Sequence, residues 1–189
     1  MVRNYLPDPI PDEVLDRVMH AARRAPSAGF TQGQSFVVVT DPERRTAIAG
    51  LAHEDDYVAA GFDPWLSQAP VHVIVCTSEA AYRKRYAEPD KSRAGATHDW
   101  PVPYWSVDAG ASLRLLLLAA VNEGLAAGFA GSHSLGGIKE LLAIPPEVDP
   151  IGLVTLGYGA PDRRSGSLKR GWKPPEDVVH RELWGSAGE

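Results

Sequence analysis

One cysteine, Cys76, in 189 residues excludes a disulfide framework and a cysteine-built metal centre, and the scattered histidines form no ligand motif. No metal is expected. The thiol lies in the apolar run Val73-Ile74-Val75-Cys76, without the electropositive neighbours that activate a nucleophile, and is expected to be a buried structural group. Nucleotide and hydrolase signatures are missing too. There is no Gly-x-Gly-x-x-Gly, no Walker sequence and no Gly-x-Ser-x-Gly elbow; Gly131-Ser132-His133-Ser134-Leu135-Gly136 lacks the strand-to-helix register of a dinucleotide fingerprint.

Basic charge is also scarce. The net charge is −5 and the pI about 5.7, which leaves no field for nucleic acid. The cluster Arg83-Lys84-Arg85 is answered by Glu88 and Asp90, the pattern of a solvated helix face. The run from Leu115 to Leu118 is too short to cross a bilayer, and no leader pattern opens the chain. With no repeat and no low-complexity tract, the chain is expected to be a single domain over residues 1–189, in a reducing cytoplasm, with a small-molecule substrate.

What is present alternates helix and strand. Apolar residues Val14, Leu15, Val18, Ala21 and Ala22 recur at helical spacing and predict a helix from Asp12, its N-cap, to Arg24. Ser35 to Thr40 predicts a strand. Asp41-Pro42-Glu43 opens a helix to about Leu51, with proline where its missing N–H costs nothing. His53 to Gln68 is irregular or a short helix, and the Glu54-Asp55-Asp56 run is solvated. Val71 to Thr77 is a buried strand, with His72 in the core or at an edge. Tyr82 to Trp105 is polar, then rich in Trp, Pro and Tyr, and is expected to be a lid that carries specificity. A long helix from near Val107 to Leu125 is apolar nearly all round, which implies burial or an interface. Strands around Phe129 and from Ile151 to Tyr158 flank a short helix from Ser134 to Leu142. Beyond Pro161 the chain has little core of its own and is expected to be an arm laid on another body.

Four segments carry chemistry. Arg24-Ala25-Pro26-Ser27-Ala28-Gly29 stops a helix and turns tightly, with polar groups expected to be free for a flat, polar-edged ligand; a plain helix stop reads the same way. The others are Val2-Arg3-Asn4-Tyr5, the helix running into Ala127-Gly128-Phe129-Ala130-Gly131-Ser132, and the tail Ser167-Leu168-Lys169-Arg170-Gly171-Trp172-Lys173-Pro174-Pro175-Glu176-Asp177-Val178-Val179-His180. In this order and spacing, over nearly the whole chain, they resemble the nitroreductase-like family of FMN-dependent oxidoreductases.

The resemblance implies an α/β (α+β) fold with a central, mostly antiparallel sheet flanked by helices. It also implies a homodimer in which a C-terminal arm, about residues 161–189, extends onto the partner. FMN would be held at its phosphate by Arg3, Lys169 and Arg170, along its ring edge by Pro26, Ser27, Ala28 and Gln32, and near N5 and O4 by Gly131 and Ser132. Trp100, Tyr104, Trp105 and His133 would meet the substrate. The implied reaction is ping-pong hydride transfer from NAD(P)H through flavin N5 to a small aromatic or quinone-type acceptor, with no side chain acting as acid or base. Two departures stand out. Members often carry two basic residues and a serine before the Val-Arg step, so either the native start lies upstream or the phosphate site is thinner. Of the frequent Asn-x-Gln-Pro-Trp after the turn, only Gln32 survives in Phe30-Thr31-Gln32-Gly33-Gln34. The alternatives are an oxidative or dehalogenating flavoenzyme, and a flavin-sequestering protein with little turnover.

Overall fold

The computed structural model describes residues 1–91, 100–163 and 165–185. Four strands, β1 (Gln34–Val39), β2 (Val71–Thr77), β3 (Ala126–Gly131) and β4 (Asp149–Gly157), form one antiparallel sheet in the order β1-β2-β4-β3. β2 is buried at every position because both faces of the sheet are covered, and an inner strand covered twice is written as a continuous apolar run. The fold is α+β, an antiparallel sheet flanked by helices.

On one face, α2 (Pro42–Leu51), α3 (Glu54–Ala59) and α4 (Trp65–Gln68) bury Ile48, Trp65 and Leu66 against Ile74, Cys76 and Leu153. On the other, α1 (Asp12–Ala22) and α6 (Tyr104–Asn122) bury Val18, Ala22, Leu113, Leu116 and Ala120 against Val73, Val75, Val154 and Leu156. Two shorter helices, α5 (Glu79–Tyr86) and α7 (Ile138–Leu141), complete the fold. By length and composition α6 is apolar enough to cross a membrane, but it packs on α1 and the sheet and leaves Val107, Leu118 and Val121 exposed.

Local chemistry explains most boundaries. The Asp41 side chain accepts from the Arg44 N–H at 2.9 Å, as an N-cap should. Asp12 is not the cap of α1: Pro11 occupies that position and Asp12 is the first helical residue, where its charge still favours the positive helix end. Glu54 is not merely solvated, for its Oε1 accepts from the N–H groups of Leu66 (2.7 Å) and Ser67 (2.9 Å) and so caps α4 from outside. Cys76 is buried, and burial pushes its thiol up to about 11.

His72 is fully buried in β2, with Nε2 2.6 Å from the Leu66 carbonyl. That oxygen can only accept, so Nε2 carries the proton. Burial lowers the imidazole to about 4, and the ring stays neutral in the folded chain while the unfolded chain protonates it near its ordinary value. The stabilising contribution is complete above about pH 6.5 and is lost as pH falls toward 4, by at most ~3 kcal/mol. Urea unfolding should show a lower midpoint at pH 5 than at pH 7, with a difference that shrinks in His72→Gln; an equal difference in that variant would put the acid lability elsewhere.

Candidate functional site

α1 ends at Ala22 with Arg23 as its C-cap, Pro26 follows three residues later, and the chain extends at Ser27 (φ −137°, ψ 143°) before one tight turn over Ala28–Phe30. Gly29, Phe30 and Gln32 all have left-handed φ, at 62°, 55° and 53°, an arrangement that costs a non-glycine residue about 1 kcal/mol and needs outside support. Support comes from α5 and α6. The Ala28 N–H donates to Asp108 Oδ2 at 2.7 Å, the Gly29 carbonyl accepts from Arg85 Nε at 2.9 Å, and Ser27 Oγ accepts from the Gln32 N–H at 2.9 Å. A Cβ at Gly29 would meet the Tyr86 ring at 2.8 Å.

The turn's polar groups are therefore mostly committed to protein, contrary to the expectation that they stand free. Backbone groups packed against two helices must be paired. Ser27 keeps its hydroxyl proton as a donor, Pro26 and Gln32 are exposed, and Phe30 presents its ring to solvent at 76% exposure.

The N-terminal arm is held by main-chain bonds: Val2 N–H to Ala127 O (3.0 Å), Leu6 N–H to Tyr158 O (2.8 Å) and Ala160 N–H to Asn4 O (3.1 Å). It carries Arg3 over the Phe62 ring (5.1 Å) and the Trp65 ring (5.9 Å). The Arg3 backbone N–H donates to Asp162, while its buried Nε has no hydrogen-bond partner. Arg163 lies 5.4 Å from the same Phe62 ring and donates to the carbonyls of Ala60 and Gly61. Lys169 and Arg170 are exposed on the short turn Gly166–Arg170. Among the described residues, no hydrogen bond, ion pair or ring contact joins them to Arg3. Nor does any join Arg3 to the Ser27 turn: Arg3 rests on Trp65 at one face of the sheet, and the turn is tied to α6 on the other.

Gly131 ends β3, an edge strand, opposite Gly152, and Ser132 and His133 follow it exposed in a tight turn. The three aromatics expected at the substrate side do meet. Trp100 lies 6.0 Å from Tyr104 and 5.7 Å from Trp105, and also packs edge-on to Tyr86 (4.7 Å) and Tyr82 (6.0 Å). The stretch from Tyr82 to Trp105 is not one loop: it opens within α5 and closes within α6, whose first residues are Tyr104 and Trp105. Its middle, residues 92–99, lies outside the described residues. Asp108, Tyr82, Arg85, Phe62 and Trp65 are the residues sequence reasoning missed. Asp108 left a trace, because it falls in line with Ser112 and Leu116 on the buried side of α6.

The Nitroreductase family model matches residues 1–158. The chain is 29% identical to FMN reductase [NAD(P)H] of Bacillus subtilis, over 97% of this chain and 70% of that protein. It is 28% identical to a putative NADH dehydrogenase/NAD(P)H nitroreductase of Archaeoglobus fulgidus, over 97% and 92%. The structure of the hypothetical oxidoreductase YcnD from Bacillus subtilis superimposes with a TM-score of 0.72 at 29% identity, covering 96% of this chain and 70% of that one. With the family model over most of the chain, and the antiparallel sheet, the anchored Arg3 arm and the tight turn after Pro26 in one chain, this protein belongs to the Nitroreductase family.

Proposed function

We propose that the protein is an FMN-dependent NAD(P)H oxidoreductase acting as a homodimer. The observation that carries this reading is Arg3: a guanidinium fixed over two aromatic rings, with a buried Nε lacking any partner, is a donor held ready for an anionic or carbonyl group of a ligand. Ser27 offers its hydroxyl proton in the same way. These donors suit the polar edge of a flavin, and the name of one relative, FMN reductase [NAD(P)H], points to that cofactor. When bound, FMN would supply the hydride chemistry, taking electrons from NAD(P)H and passing them to a small aromatic or quinone-type acceptor in a ping-pong sequence.

The protein's part is binding and orientation. Arg3, Lys169 and Arg170 would neutralise the phosphate, the turn with Pro26, Ser27, Ala28 and Gln32 would line the ring edge, and Gly131 and Ser132 would offer main-chain donors. Trp100, Tyr104, Trp105 and His133 would form the acceptor side, where flat rings give stacking surface at low entropic cost. Arg3 and the turn do not touch within one chain, so a second copy that sets one chain's turn beside the other's Arg3 would complete the site. The exposed Val107, Leu118 and Val121 of α6 give that copy an apolar face to cover. A cytoplasmic setting accords with the single buried thiol.

Anaerobic mixing with NADH or NADPH tests turnover. Rapid loss of the oxidised-flavin absorbance is the expected result; a flavin that stays oxidised with both donors would leave a sequestering protein instead.

A further inference from the structure

Among the described residues Asp108 is the only buried carboxylate, at 8% exposure, and it forms no ion pair among them. Its Oδ2 accepts two neutral donors from two different elements, the Ala28 N–H at 2.7 Å and the Tyr82 O–H at 2.7 Å. Burial, and then the bond to this carboxylate, raise the Tyr82 phenol well above its usual range. A buried carboxyl group without a cationic partner is a costly way to hold a fold together, since apolar packing at the same place would serve stability better. What the carboxylate does, and apolar packing would not, is fix the amide of Ala28 in the middle of a turn with three left-handed residues. Through Tyr82 it also reaches the aromatic cluster, because the Tyr82 ring packs edge-on to Trp100 at 6.0 Å.

We propose that Asp108 is a positioning residue that holds the Ser27-Ala28-Gly29 turn in its flavin-binding shape and ties it to the aromatic substrate side through Tyr82. The inference rests on the flavin reading above. Without the carboxylate the Ala28 N–H is left unpaired against α6, the left-handed run loses its inner anchor, and FMN must then select a turn that is only part of the time in shape, which weakens apparent affinity in proportion.

The experiment titrates FMN into deflavinated wild-type, Asp108→Ala, Asp108→Asn and Tyr82→Phe proteins by flavin fluorescence, with thermal unfolding of each apoprotein alongside. Asp108→Ala should weaken FMN binding at least tenfold. Asp108→Asn, whose amide oxygen still accepts from Ala28, should recover to within about threefold of wild type. Tyr82→Phe should fall between them. A purely structural role would instead lower apoprotein melting with the dissociation constant unchanged. An Asp108→Ala protein that binds FMN within twofold of wild type overturns the proposal, and if that variant does not fold, Tyr82→Phe binding within twofold of wild type overturns it. A wild-type protein that takes up no FMN would overturn the flavin reading itself, a separate outcome.

Discussion

Truncation after Arg163 is expected to abolish both dimerisation and FMN retention while leaving the domain folded. No buried hydrophobic residue lies beyond Leu156 among the described residues, so the core does not need the tail. The cut keeps Asp162 on the Arg3 amide and Arg163 on the Phe62 ring. What it removes is surface that makes little sense in a lone chain: Trp172 is 97% exposed and Trp184 91%, with Lys169 and Arg170 close to Trp172 in sequence. Exposed tryptophans on a tail without a core belong on another body. If that body is the second subunit, the interface is of obligate size, on the order of 2,000 Å² or more, and its loss separates the subunits and opens the site. Size-exclusion chromatography with light scattering and an absorbance spectrum give the answer together. A truncated protein that remains a yellow dimer would contradict the shared site.

Gly128→Ala should be the most damaging small substitution at the site's border. A Cβ there would meet Thr155 Oγ1 at 2.7 Å, the Trp65 ring at 2.7 Å and the Val2 carbonyl at 2.8 Å. The backbone oxygen cannot rotate away, and Trp65 is fully buried. The N-terminal arm must move, and with it Arg3. Overpacking of this kind costs about 3 kcal/mol at the upper end of its usual range, and FMN binding should weaken in the same variant. Gly50→Ala provides the contrast. That glycine lies in α2 with open space around its missing Cβ, so alanine there should stabilise by up to about 1 kcal/mol through helix propensity. Urea unfolding of the two apoproteins checks both, and equal stabilities would show that the arm yields without cost.

How much of this was written in the sequence depends on how local its cause is. The span of β2 was read correctly because an inner strand needs apolar residues on both faces. α2 followed from Asp41-Pro42, where cap and first-turn proline act within four residues. The start of α6 was missed because Pro103, Tyr104 and Trp105 read as broken chain, although a proline just before a helix is compatible with its start. The antiparallel sheet came from family resemblance and its strand order from the structure, since no local pattern states which strands are neighbours. The tight turn after Pro26 was in place, but the sequence could not say that α5 and α6 would take up the polar groups expected to face a ligand; Asp108 lies 80 residues from Ala28. Arg3 was named for its charge and from the family resemblance, and its aromatic seat on Phe62 and Trp65 is a long-range contact. The tail's fate was least legible, since little on it is buried by its own chain.

The most direct measurement is the identity of the cofactor carried by the purified protein. Acid or heat should release FMN, in a ratio near one per chain, and apoprotein should recover its yellow colour with FMN but not with FAD, because no dinucleotide fingerprint is present to hold an adenosine half. A colourless protein that takes up neither flavin would contradict the reading of Arg3 and the Ser27 turn as a flavin site.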